Sequence, residues 1–205
     1  MATLSILAGG SGYIVGAATT YSVARSTSSY FYAYVNYLTV GQWLNEVEPP
    51  IPYRVARGVF RFDTSPLEGK IITSAYITMA AHADYSDINF SIQIVEADWS
   101  AQYPISASTR EAAYDKVLAG TSKNWRNTLG MSLDTVYNSS LLRTAYINKS
   151  GFTYYGLRSH RDKNNVIGTT AEFVLLYSEY ESVAARRPYL VVNYDEPALG
   201  AVWFV

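Results

Sequence analysis

The chain has 205 residues, no cysteine, and 16 basic against 17 acidic residues, a net charge of −1. Disulfides and thiolate metal sites are excluded. Interspersed charges also disfavour electrostatic binding to nucleic acid or an anionic membrane. No stretch approaches the roughly 20 apolar residues of a membrane span. The first ten residues lack the basic and apolar regions of a secretory signal, so the expected location is a cell interior or a virus particle assembled there.

Residues 1–30 are rich in Gly, Ser, Thr and Ala and read as one or two short strands with loops, with 1–20 expected to act as an N-terminal arm. Residues 29–40 carry Tyr30, Phe31, Tyr32, Tyr34 and Tyr37 and read as a strand or strand pair. Pro49, Pro50 and Pro52 cannot join a central ladder, so 41–52 is a surface loop. In 57–67, Phe60 and Phe62 share one face and Val59 and Arg61 the other, because side chains alternate with period two. Asp63, Thr64, Ser65 and Pro66 then form a turn, and a strand over 71–79 is expected to complete a hairpin. Residues 82–87 form a polar turn, and 88–95 alternate cleanly with Ile88, Phe90, Ile92 and Ile94 on one face.

Residues 108–119 form the one expected helix. Ser108 is placed to N-cap it, with Glu111 three residues on as in a capping box, and Gly120 follows the last turn. Such a helix would cap an open end of a sandwich. The signal over 121–150 is mixed. Three further strands are expected at 152–158, 172–177 and 188–194, with 159–170 a polar loop. The apolar tail 196–205, uncharged from Ala198 onward apart from its carboxylate, is expected to dock on a partner through Val202, Trp203 and Phe204. No repeat or linker divides the chain. The expectation is one domain over 1–205, an all-β antiparallel β-sandwich (jelly roll) with one short capping helix.

Blocks in order carry a resemblance: Arg57 to Ser65, Ile72 to Ile77, Ile92 to Val95 with Trp99, Ile147 to Thr153, Gly156 to Ser159 with Asp162, and Arg187 to Tyr194. Together they resemble the DNRLRE-type jelly-roll domain, a relative of the family 6 carbohydrate-binding modules, over roughly residues 20–195. The resemblance implies a sandwich of eight or more antiparallel strands. It also implies a place among accessory modules of surface proteins or among phage structural proteins. The Arg-rich segment that names the family is absent in literal form.

Chemically, the 19 tyrosines stand out. Tyr offers a flat apolar body with a polar tip, suited to protein interfaces, to sugar stacking, or simply to half-buried strand positions. The expected sugar-stacking residues are Tyr30, Tyr32, Trp43, Tyr85 and Trp99. His82 and His160 are the only histidines and lie in expected loops, so a Ser-His-Asp site is not supported. The carboxylate pairs Asp84 with Asp87 and Glu96 with Asp98 are better explained by turn capping than by glycosidase chemistry. A structural calcium ion held by Asp84, Asp87 or Asp162 with Asn164 is an alternative, since calcium takes six to eight oxygens and family 6 relatives often hold one in a loop. Arg57, Arg61, Arg158, Arg161, Arg186 and Arg187 recur beside Tyr or Phe, where a guanidinium over a ring is stabilising, and are expected to solvate sheet faces or to pair with Asp63, Glu179 and Glu181. The leading expectation is a non-enzymatic virus-particle protein, a phage capsid decoration or tail-associated subunit acting as a homo-oligomer on capsid or tail protein. The alternative is a carbohydrate-binding module for a polysaccharide or host glycan.

Overall fold

The computed structural model describes residues 1–33, 35–44 and 52–197. In chain order the elements are β1 (Ala2–Ala18), α1 (Tyr21–Ser26), β2 (Tyr30–Ala33), β3 (Tyr37–Leu44), β4 (Tyr53–Asp63), β5 (Ile71–Asp84) and β6 (Ser91–Glu96). They continue with α2 (Arg110–Ala119), β7 (Thr121–Asn127), β8 (Val136–Asn138), β9 (Phe152–Ser159), α3 (His160–Lys163), β10 (Ala171–Tyr177) and β11 (Tyr189–Asp195). The described strands pair antiparallel, and the fold is an all-β, jelly-roll-like sandwich.

One layer contains the N-terminal half of β1, then β11, β5 and β8. The other runs from β10 through β3 and β4 to β9, β6 and β7. Strands β1 and β5 serve both layers, because the second half of β1 pairs with β4 and the end of β5 pairs with β10. The circuit β1, β11, β5, β10, β3, β4 and back to β1 is therefore closed by hydrogen bonds. Closure leaves the six strands of the circuit without a free edge, while β2, β7 and β8 branch from it as edge strands. Among the described residues no helix is long and apolar enough to cross a membrane.

Three expectations are corrected. Residues 1–20 do not form an arm, since Ala2–Ala18 is a continuous strand bonded to β11, β4 and β2. Its small residues answer to neighbours rather than to flexibility. The strand passes from β11 to β4 between Leu7 and Ala8, its register with β4 then shifts between Gly9 and Gly12, and a Cβ on Gly16 would lie 1.8 Å from the Ala24 carbonyl oxygen of α1. The second correction is that β4 and β5 form no hairpin but pair with different strands. A 3₁₀ turn over Ser65–Leu67 sends the chain to the opposite layer and buries Leu67. Asp63 accepts from the Ser65 amide and hydroxyl as turn chemistry requires, while the Thr64 hydroxyl donates to the Asn148 carbonyl at 2.6 Å.

The third correction concerns helices. Besides α2 the chain forms α1 and α3, which are too short to show a hydrophobic period. The capping box at Ser108 does not form, because α2 starts at Arg110 without a side-chain cap. Glu111 instead accepts hydrogen bonds from the Ser28 amide at 2.5 Å and its hydroxyl at 2.6 Å, a tertiary contact that local sequence does not reveal. The helix lies flat on the second layer rather than over an open end: Ala113, Tyr114 and Val117 are buried with Ile14, Val59 and Trp99. A Cβ on Gly156 would come within 2.5 Å of Val117, so glycine in β9 permits this approach. The main core between the layers holds Phe60, Phe62, Ile77, Ile92, Tyr155 and Leu176.

Beneath the helices runs a buried ionic cluster that corrects the view of Arg57 and Arg158 as surface residues. Both are essentially inaccessible, as is Asp162. Arg57 holds Asp162 bidentately, Nε to Oδ2 at 2.7 Å and Nη2 to Oδ1 at 2.9 Å, and its guanidinium lies 3.7 Å from the centre of the Tyr114 ring. Arg158 donates to the Val117 carbonyl at 2.9 Å, to Leu118, and to the Gly120 carbonyl at 3.2 Å, closing the C-terminus of α2 where cations are favoured. Burial lowers its pKa to about 10, which still leaves it charged at neutral pH.

The buried phenols fix the alkaline limit of the fold. Burial is the leading cause that raises the pKa of Tyr21, Tyr114, Tyr146 and Tyr155. In the unfolded chain these groups ionise near pH 10, while in the folded chain they keep their protons. Their contribution is complete below about pH 10 and is lost as pH climbs above it. A phenolate absorbance titration should show exposed tyrosines ionising first. The buried set should appear only together with loss of the folded circular dichroism signal. Simple, fully reversible titration of all 19 with the fold intact would contradict the burial described here.

Candidate functional site: an aromatic groove

The aromatic residues of β1 and β2 meet because the two strands pair with Tyr13 opposite Tyr32 and Val15 opposite Tyr30. Period two then sets Tyr13, Val15, Tyr30 and Tyr32 on one face, while Ile14 and Phe31 turn into the core under α2. The Tyr13 and Tyr32 rings stack with centres 4.8 Å apart and planes 18° from parallel. Across the depression β3 contributes Thr39 and Trp43, β4 contributes Arg54 opposite Trp43, and β10 contributes Phe173. Trp43 packs on Phe173 at 4.9 Å, and Tyr85 stacks on the same ring at 5.0 Å.

These side chains enclose about 140 Å³. Through the shared walls Tyr13 and Thr39, that space continues into a shallower depression of about 460 Å³ reaching Asn36, Tyr37 and Leu175. The result is a groove with aromatic faces along its length and Thr39, Asn36 and phenol hydroxyls between them. Tyr30 is 46% exposed, Tyr32 41% and Tyr85 50%. Tyr13 has its pKa raised, first by burial, against the lowering effect of its hydrogen bond to Thr39. It is therefore a neutral donor and acceptor at physiological pH.

Four of the five expected stacking residues (Tyr30, Tyr32, Trp43 and Tyr85) thus come to one surface. Trp99 does not. It is fully buried, donates its indole N–H to the Tyr155 carbonyl at 3.1 Å, and belongs to the core beneath α2. Sequence reading missed Tyr13 and Phe173. The alternation of β10, with Val174 and Leu176 inward, already implied that Phe173 and Leu175 face outward.

Two of the three aspartates considered for calcium already have protein partners. Asp162 is engaged by Arg57, and Asp84 Oδ1 accepts from the Ser86 amide at 2.9 Å and its hydroxyl. The Asp87 amide is tied to Ala171. Among the described residues no group of three or more His, Asp or Glu side chains is placed to hold a metal ion. Of the acidic pair Glu96 and Asp98, Glu96 is bound by Arg143, and Asp98 accepts from the Ser100 amide at 3.0 Å. Arg61 sits between the Tyr103 and Phe152 rings, 3.6 and 4.0 Å from their centres, as the Arg-aromatic pattern suggested. Val202, Trp203 and Phe204 lie outside the described residues. No family model matches the chain, and no curated protein matches it significantly.

Proposed function

We propose that this protein is a non-enzymatic binding module that holds a neutral polysaccharide or surface glycan along the aromatic groove. The observation that carries the reading is the convergence of Tyr13, Tyr30, Tyr32, Trp43, Phe173 and Tyr85, from strands distant in sequence, on one accessible surface. Sugar rings present apolar C–H faces that pack against π faces, while their hydroxyls need partners such as Thr39, Asn36 and the tyrosine hydroxyls. The resemblance to family 6 carbohydrate-binding modules points the same way. Near-zero net charge suits an uncharged ligand.

A glycan array probed with the purified chain should give saturable binding to at least one neutral glycan class. Trp43→Ala should weaken it by about 2 kcal/mol, roughly 30-fold, as expected for loss of a central aromatic contact. Absence of binding across the array would remove the proposal.

A place on a virus particle is compatible with this reading, since subunit contacts and glycan contacts can use different faces. Its sequence support at the chain ends now rests on 196–205, because residues 2–18 are β1. Light scattering of the purified chain tests the accompanying expectation of a homo-oligomer.

A further inference from the structure

At the Tyr37 end of the groove, the pairing of β5 with β10 is irregular. Ala83 opposes Leu175 and Ala81 opposes Leu176, so His82 is the extra residue of a β-bulge. Bulges redirect a side chain and recur beside functional sites. The redirected imidazole stacks flat on Tyr37, with ring centres 4.1 Å apart and planes 11° from parallel, and Tyr37 lines the groove.

Behind His82 stands a relay of hydrogen bonds. Tyr177 donates its hydroxyl to Asp134 Oδ1 at 2.5 Å, and His82 Nδ1 lies 3.1 Å from the same phenol oxygen. A phenol has one proton, and here it is committed to the carboxylate. The oxygen can therefore only accept from His82, so Nδ1 must carry the imidazole proton. Arg186 supports the arrangement, with Nη1 3.3 Å from the Tyr177 oxygen and Nη2 3.4 Å from Asp134 Oδ2. Asp134 itself is held at φ 62°, in the left-handed region, by its amide's bond to the Ala81 carbonyl at 2.8 Å. A strained residue kept in place by its surroundings is a common mark of a functional position.

With Nδ1 protonated, Nε2 of neutral His82 is a lone-pair acceptor. It has no hydrogen-bond partner among the described residues, and it is not among the sealed, unpartnered polar atoms of the interior. The other histidine is set the opposite way: His160 Nδ1 accepts from the Ser91 amide at 2.9 Å, leaving Nε2 to carry its proton. The relay is thus specific to His82, which stands beside the groove through its stack on Tyr37.

We propose that His82 is the groove's fixed hydrogen-bond acceptor, taking a ligand hydroxyl on Nε2 while Tyr177 and Asp134 hold the tautomer. The role rests on the glycan reading of the groove. It adds a selectivity that stacking alone does not supply: a sugar must present a hydroxyl donor at the Tyr37 end. Its removal in His82→Ala should weaken binding about five- to tenfold, the range of one neutral hydrogen bond.

The test is long-range proton–nitrogen NMR on the full chain with isotope-labelled histidine and tryptophan, titrated with cellohexaose, mannohexaose and maltohexaose. The expected result has three parts. Wild-type His82 is the Nδ1–H tautomer, Tyr177→Phe abolishes that preference while the fold is retained, and the hexasaccharide that shifts Trp43 also shifts His82 Nε2. An Nε2–H tautomer in the wild type, or a tautomer indifferent to Tyr177→Phe, overturns the relay. A Trp43 response without a His82 response overturns the acceptor role and leaves the glycan groove standing. If none of the three sugars shifts Trp43, the glycan reading fails and the acceptor role fails with it.

Discussion

Asp162→Ala should destabilise the protein by about 3–5 kcal/mol, the cost of stranding a buried charge. The charge it strands is Arg57, which is wholly inaccessible. Burial by itself would lower the Arg57 pKa, but Tyr114 and Asp162 outweigh it and the net shift is upward, so the guanidinium stays protonated. Two of its remaining contacts are carbonyl oxygens, Tyr114 at 3.0 Å and Arg25 at 2.9 Å, and neither supplies a counter-charge. The double variant Arg57→Met, Asp162→Leu removes both charges together and should lose much less than Asp162→Ala alone. A denaturant-unfolding cycle of the two single variants and the double variant measures the coupling. Additive losses would show that the pair does not act as the unit its bidentate geometry implies.

This cluster also marks where sequence reading stops. Arg57 and Arg61 sit on the same strand and the same face, with Val59 between them, and period two predicted that shared face correctly. What local sequence does not contain is the identity of the cover. Over Arg57 and Val59 the face is roofed by α2, whereas Arg61 emerges beyond the helix between Tyr103 and Phe152. One arginine is therefore core and its near neighbour is a rim residue.

The strands with strong alternation, such as 60–62 and 92–94, were legible because burial of one face imposes the pattern. Strand β1 was not legible. Its residues are small because α1 and β2 approach them closely, a requirement set by partners distant in sequence. The supposed hairpin failed for a similar reason, since alternation predicts a strand but not its partner. The groove was half legible. Tyr30, Tyr32, Trp43 and Tyr85 announce themselves as aromatics near loops, whereas their meeting depends on β1 and β10 supplying Tyr13 and Phe173.

The two tryptophans proposed together for sugar stacking should behave oppositely. Trp99→Ala should cost about 3–5 kcal/mol of stability, the usual loss for emptying a fully buried aromatic site. The indole N–H bond to the Tyr155 carbonyl is lost as well. Trp43→Ala should cost about 1 kcal/mol, because its ring is half exposed and its chief aromatic neighbour is Phe173. Binding should invert the order. At a temperature where both variants remain folded, Trp99→Ala should keep the affinity of the wild type and Trp43→Ala should lose it. The two measurements separate a residue that holds the sheet beneath α2 from one that faces the ligand, a distinction their shared chemistry hides. A Trp99→Ala variant that is folded, stable and defective only in binding would place the ligand near α2 instead of on the groove.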